Sequence, residues 1–76
     1  MKELLEYIAR HIVEEPDEVE VVEIEDDRGV ILQLRVAADD MGKVIGRSGR
    51  MARAIRSIVR AAGSREDIAT KVEILE

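Results

Sequence analysis

The chain lacks cysteine, phenylalanine, tryptophan and asparagine, and it contains one tyrosine, one histidine and one proline. Without cysteine it forms neither disulfides nor thiolate metal sites, and the lone His11 is too little for a metal centre. With Tyr7 as the only aromatic residue, base-stacking platforms of the single-strand-binding type are excluded. No apolar run approaches the roughly 20 residues that cross a bilayer, and the start of the chain is unlike a signal peptide. These absences predict a soluble cytoplasmic protein with no metal, no cofactor and no membrane segment.

Acidic residues are abundant, but nothing around them indicates catalysis. The carboxylates of residues 14–27 come without a nucleophile, so we interpret them as a solvated acidic edge rather than as an acid–base pair. We therefore predict no catalytic residues, no small-molecule substrate and no enzyme activity.

Length and composition predict a single globular domain over residues 1–76. Hydrophobic residues make up 46% of the chain and charged residues 38%, which is the balance of a folded domain. The net charge is −5, yet its sign changes along the chain. Residues 1–40 hold thirteen acids and four bases, whereas residues 41–62 hold six bases and no acid. A local basic patch of this kind suffices for contact with a polyanion.

The first half of the sequence predicts a helix followed by a β-hairpin. An apolar stripe at helical spacing is formed by Leu5, Ile8, Ala9 and Ile12. Pro16 should end that helix by about residues 13–15, because proline disfavours helical geometry in the residue before it. Residues 19–25 and 30–36 are rich in β-forming residues, and the first run alternates from Val22. Residues 26–29 between them form the predicted turn.

The second half predicts two helices and a final strand. Asp39 or Asp40 should cap a short helix over residues 41–45. A longer amphipathic helix follows from Met51 to Ala62, with Gly63 as the residue that closes it. Thr70, Val72 and Ile74 then alternate with polar neighbours as a strand.

The predicted fold is α+β, in the order α-β-β-α-α-β, with a three-stranded mixed sheet and three helices on one face. The two middle helices connect the second strand to the third, so these strands should run parallel. Ile55 and Ile58 are expected in the centre of the core. The open face of the sheet is expected to carry Glu23, Glu25, Gln33, Arg35, Lys71 and Glu73, together with exposed Val21, Ile31 and Leu75.

The most informative motif is Gly46-Arg47-Ser48-Gly49, called the glycine tetrad below. Two glycines three apart allow a tight turn with positive φ angles and leave the main-chain amides accessible. The following helix directs its free N–H groups and the positive end of its dipole toward the tetrad. This is the chemistry of a clamp for a nucleic-acid backbone. The simpler alternative is a helix–helix turn that merely needs glycine.

Residues around the tetrad have separate predicted roles. The amides from Arg47 to Arg50, including that of Ser48, should meet phosphate. Lys43, Arg47 and Arg50 should attract the backbone, with help from Arg53, whereas Arg56 and Arg60 are interpreted as ordinary surface charges. Candidates for an apolar groove floor are Met41, Val44 and Ile45, of which at least one must belong to the core. Gly42 should let a ligand or another backbone come close.

The stretch from Asp40 to Arg50, Asp-Met-Gly-Lys-Val-Ile-Gly-Arg-Ser-Gly-Arg, resembles a type II KH domain. With Ala54-Ile55-Arg56-Ser57-Ile58 and Ala61-Ala62-Gly63 after it, the chain is similar to the small single-domain bacterial KH proteins of the KhpA (YlqC-like) family. The likeness extends over essentially the whole chain, although its two ends are less specific than the middle.

The resemblance implies binding of single-stranded RNA, with about four nucleotides across the tetrad between the paired helices and the last strand. It also implies a partnership with a larger Jag-type KH protein and a role in RNA regulation. Two other interpretations stay open at this point. One is a protein-interaction subunit, as a homodimer or a heterodimer with a Jag-type KH protein. The other is a helix-hairpin-helix DNA-binding module, although its glycines normally have the spacing G-h-G. A phosphate-binding P-loop is poorly supported, since no Gly-Lys-Ser/Thr follows the glycines.

Overall fold

The computed structural model describes residues 1–75. Its elements are α1 (Lys2–Arg10), β1 (Glu20–Asp26), β2 (Gly29–Arg35), α2 (Met41–Ile45), α3 (Arg50–Arg65) and β3 (Thr70–Leu75). Short 3-10 turns lie at Pro16–Glu18, Ala38–Asp40 and Arg47–Gly49. β1 pairs antiparallel with β2, and β2 pairs parallel with β3, in the sheet order β1-β2-β3. The predicted element order and mixed sheet are confirmed.

The core lies between one face of the sheet and the helices. β2 contributes most to it, because its alternate residues Val30, Leu32 and Leu34 are all buried. Helical side chains that share this core are Leu5 and Ala9 of α1, Val44 of α2, and Ile55 and Val59 of α3. The short helix α2 is thus anchored by a single fully buried side chain. Within residues 1–75 no helix is both long and apolar enough to cross a membrane.

The prediction for the two faces of β1 is wrong. Val21 is buried opposite Leu34, whereas Val22 and Ile24 are 45% and 42% exposed on the open face. Glu23 therefore shares the helix-facing side with Leu32, its partner in the register, and Glu25 follows it two residues on. Val21 and Val22 are both apolar, so the alternation of buried and exposed residues could begin at either one. A shift of one residue exchanges the two faces of the strand. The open face carries Gln33, Arg35, Lys71, Glu73, Ile31 and Leu75 as predicted.

The core prediction for α3 is half right. Ile55 is buried, but the Ile58 side chain is 50% exposed. The buried face of α3 consists of Ala52, Ile55, Val59 and Gly63. The helix is therefore rotated about its axis relative to the prediction, with two small residues against the sheet and other helices.

Gly63 does not close α3, which continues to Arg65. It is instead a buried residue of close approach, since a Cβ there would overlap the Thr70 hydroxyl and lie 2.8 Å from the Ile68 carbonyl oxygen. α1 also differs, because it ends at Arg10 and passes through a turn before Glu14. Asp40 is the N-cap residue of α2, but its side chain makes no capping hydrogen bond.

Candidate nucleic-acid interface

The glycine tetrad forms an outward turn between α2 and α3. Gly46 has φ 75° and ψ 176°, and Gly49 has φ 75° and ψ 13°. Ser48 also lies in the left-handed region, with φ 56° and ψ 27°. Three of the four residues therefore have positive φ, which costs a non-glycine residue energy and concentrates at functional loops. Both side chains between the glycines, Arg47 and Ser48, are exposed.

Gly46 has a second, steric reason to be glycine. A Cβ on it would lie 2.7 Å from the Met51 Cβ and 2.8 Å from the Met51 backbone nitrogen. Gly49 is different, because the nearest atom to its ideal Cβ is the Arg53 Nη1 at 3.5 Å. The Arg53 guanidinium thus lies beside the end of the tetrad, where it adds positive charge.

The amides of the tetrad are only partly available. The Gly49 N–H donates to the Gly46 carbonyl at 3.2 Å, and the Arg50 N–H donates to the Arg47 carbonyl. The amides of Arg47 and Ser48 begin the 3-10 turn, where helical geometry offers no acceptor within the helix. Of the four amides predicted to meet phosphate, these two are the ones for which the described residues provide no backbone acceptor.

The cationic side chains divide into free and paired ones. In the part of the chain that the structure describes, no ion pair engages Arg47, Arg50 or Arg53. Lys43 is paired, because its Nζ lies 3.6 Å from the Glu14 Oε1 and 3.9 Å from the Asp40 Oδ1. The positive charge at the tetrad therefore comes chiefly from the three arginines.

Two stripes flank the buried face of α3. Arg53, Arg56 and Arg60 share one side at the spacing i, i+3, i+7, and we call them the α3 basic stripe. The Arg56 Nε donates to the Val72 carbonyl oxygen at 3.3 Å, which places this stripe toward β3. Sequence reasoning missed this hydrogen bond, because Arg56 and Val72 lie 16 positions apart in the chain. The interpretation of Arg56 and Arg60 as ordinary surface charges stays a prediction.

The other flank is the α3 apolar stripe, formed by Met51, Ala54, Ile58 and Ala61. Met51 is 37% exposed and Ile58 is 50% exposed. Among the groove-floor candidates, Val44 is fully buried in the core, whereas Ile45 is 36% exposed beside the tetrad. Gly42 is exposed, and nothing lies within 4 Å of the position that a Cβ would take.

An α-β-β-α-α-β chain with a G-x-x-G turn between its second and third helices is a type II KH domain. The family described as KhpA/KhpB, KH domain, matches residues 2–74, and the chain belongs to that family. The three strands and this family exclude the helix-hairpin-helix alternative.

The chain is similar over its whole length to several bacterial proteins. It is 51% identical to the RNA-binding protein KhpA of Clostridium acetobutylicum over 99% of this chain and 100% of that protein. It is 49% identical to the RNA-binding protein KhpA of Caldanaerobacter subterraneus over 99% of this chain and 100% of that protein. For the RNA-binding protein KhpA of Chlamydia trachomatis the identity is 40%, over 100% of this chain and 97% of that protein. No solved structure matches the chain. All three relatives are named as RNA-binding proteins, and the family is not a family of enzymes, as predicted.

Proposed function

We propose that this protein binds single-stranded RNA in the cytoplasm and holds about four nucleotides over the glycine tetrad. The observation that carries the proposal is the outward, positive-φ turn of the tetrad with Arg47 at its tip and no acid within residues 41–62. The names of the bacterial relatives support RNA as the ligand. Post-transcriptional regulation or RNA chaperone activity is the cellular role that this binding would serve.

Each part of the site has a distinct task in this proposal. A phosphate accepts hydrogen bonds from the Arg47 and Ser48 amides, beside the positive end of the α3 dipole. The guanidinium groups of Arg47, Arg50 and Arg53 supply attraction at longer range. Gly42 leaves room for the ligand, and Ile45 offers an apolar contact to a base.

The α3 basic stripe extends the positive surface from the tetrad toward β3. A nucleotide chain that follows it would pass from Arg53 to Arg60 along the side of α3 that faces Val72. The one aromatic residue, Tyr7, belongs to α1 and not to the elements that form the tetrad. Base recognition therefore rests on hydrogen bonds and apolar contact, and a lone domain should bind weakly.

The decisive experiment replaces both side chains at the tip of the tetrad, Arg47→Asp with Ser48→Asp, which changes the local charge by −3. A matched control is Ser64→Asp with Arg65→Asp, because this exposed pair at the far end of α3 has the same composition. Binding is measured by fluorescence anisotropy with a short labelled single-stranded RNA of mixed sequence. Thermal melting of all three proteins shows whether each one folds.

We expect the tetrad variant to lose RNA binding with a nearly unchanged melting temperature. Its new acids repel phosphate directly, yet they lie at a helix N-terminus, where negative charge is favourable. The control pair should retain most of the affinity. Equal affinity of the two variants would show that the tetrad is a structural turn, and a partner-only role would then be the better interpretation.

The α3 apolar stripe favours a second candidate function, which is pairing with another chain. Ile58 and Met51 form an apolar ridge beside the RNA site, where a second copy or a Jag-type KH protein could pack. Light scattering on the native chain and on Ile58→Glu tests self-association, and co-purification with a Jag-type protein tests the heterodimer. A monomeric native chain that fails to retain the Jag-type protein would contradict this second function.

A further inference from the structure

Asp40 is the one charged residue that is buried in the described part of the chain, with 1% of its surface exposed. Burying a carboxylate is costly unless hydrogen bonds replace its water. Asp40 meets this condition through two backbone donors. Its Oδ1 accepts the Glu14 N–H at 3.1 Å, and its Oδ2 accepts the Glu15 N–H at 3.1 Å.

These two bonds join distant parts of the chain. Glu14 and Glu15 follow the turn after α1, whereas Asp40 is the residue immediately before α2. The Lys43 ammonium, one turn into α2, lies 3.9 Å from the Asp40 Oδ1 and balances its charge. The start of α2 is therefore tied to the segment after α1 at a single carboxylate.

The tie matters because α2 has little else to hold it. A helix of five residues is not stable by itself, and Val44 is its one fully buried side chain. α3 is anchored separately, through Ala52, Ile55 and Val59. The tetrad lies between the two helices, so its geometry depends on where α2 begins.

We infer that Asp40 is a positioning residue for RNA binding, because its carboxylate fixes the start of α2 against residues 14 and 15 and thereby sets the tetrad. The inference rests on the proposed function. In this role Asp40 does not contact RNA, and its charge has the same sign as that of phosphate. Electrostatics alone would make removal of that charge strengthen RNA binding, whereas positioning makes the same removal weaken it.

The test compares Asp40→Asn with Asp39→Asn. Both changes remove one negative charge from neighbouring residues, but the Asp39 side chain is exposed. In Asp40→Asn the side-chain amide can accept only one of the two N–H groups, so one bond to a charged acceptor is lost. We expect the affinity of Asp40→Asn for a short single-stranded RNA to be about tenfold below that of Asp39→Asn.

A second control separates positioning from general instability. Val21→Ala leaves a cavity in the core under β1, far along the chain from α2, and lowers stability without touching residue 40. RNA affinities are compared at a temperature where melting curves show every variant to be folded. Affinity should fall in Asp40→Asn and remain native in Val21→Ala.

A measurement on the native chain makes the test independent of whether Asp40→Asn folds. If Asp40 couples the two regions, RNA at the tetrad should slow hydrogen exchange of the Glu14 and Glu15 amides, because coupling is reciprocal. The Arg28 and Gly29 amides are the control, since they also donate to a carboxylate, the Asp26 Oδ1, at 2.7 and 3.1 Å. Their exchange should not change.

Slower exchange at residues 14 and 15, with the larger loss of affinity in Asp40→Asn, would support the positioning role. Equal affinities of the residue 39 and 40 variants, or unchanged exchange at residues 14 and 15 on RNA binding, would overturn it while leaving the proposed function intact. Failure of the native chain to bind RNA would overturn the proposed function, and this inference with it.

Discussion

Two isoleucines one turn apart on α3 allow a direct test of the packing. Ile55 is 1% exposed and Ile58 is 50% exposed, although both have the same side chain on the same helix. Truncating either residue to alanine removes three carbon atoms, and the change in helix propensity is the same at both positions. The difference between the two free energies of unfolding therefore measures burial almost alone.

The expected magnitudes follow from the exposed fractions. At about 0.8 kcal/mol per buried methylene, three carbons contribute about 2.4 kcal/mol when fully buried. The cavity left by Ile55→Ala adds to this, giving a loss of about 2–5 kcal/mol. Ile58→Ala loses about half of the transfer contribution and leaves no closed cavity. The gain in helix propensity, which both variants share, offsets part of that and leaves a net loss of about 1 kcal/mol or less for Ile58→Ala.

Urea denaturation followed by circular dichroism gives both free energies, and unchanged m-values show that both variants still unfold in the same way. For a domain of this size the melting temperature should fall by about 4–8 °C for each kcal/mol. Equal losses of stability in the two variants would mean that α3 is rotated about its axis relative to the structure. The Ile58→Ala protein should bind RNA as the native chain does, because the apolar stripe lies on the other flank of α3 from the basic stripe.

Three further predictions concern the tetrad and its surroundings. RNA affinity should fall with salt at a log–log slope of roughly −1.4 to −2.8 if two to four phosphates are engaged at about −0.7 each, and anisotropy titrations at several salt concentrations measure it. Equal or better binding to duplex DNA would contradict the proposed function. Gly46→Ala should cost about 1–3 kcal/mol, because it combines positive φ with overlap on Met51. Gly42→Ala should leave the stability equal or higher, because the added methyl group meets no other atom and alanine favours the helix. The same methyl group should weaken RNA binding, because it occupies space that the proposed function leaves to the ligand. Similar melting temperatures for these two alanine variants would refute the steric argument.

Local patterns were sufficient for the element order and for the position of the G-x-x-G turn between the second and third helices. The apolar stripe of α1, the hairpin and the G-x-x-G turn each occupy a few consecutive residues, and their geometry depends mainly on neighbours in the chain. The change of charge sign after residue 40 is also visible without a structure. The parallel pairing of β2 with β3 follows from the length of the connection between them.

The face that each element presents was decided by tertiary packing. In β1 the alternation of buried and exposed residues could begin at either of two adjacent valines. The register, which pairs Val21 with the buried Leu34, places Val21 in the core. On α3 the apolar residues cover more than one stripe, and close approach at Gly63 selected the face with Ala52 rather than the one with Ile58.

The partners of charged residues also depended on the folded chain. Asp40 resembles a helix cap in the sequence, yet its carboxylate accepts amides from residues 14 and 15, more than twenty positions away. The Lys43 ammonium forms an ion pair with the same Asp40 carboxylate, and Arg56 donates to the carbonyl oxygen of Val72 on β3. A residue's type and spacing determine which bonds it can form, but only the folded chain determines which donors and acceptors are within about 3 Å of it.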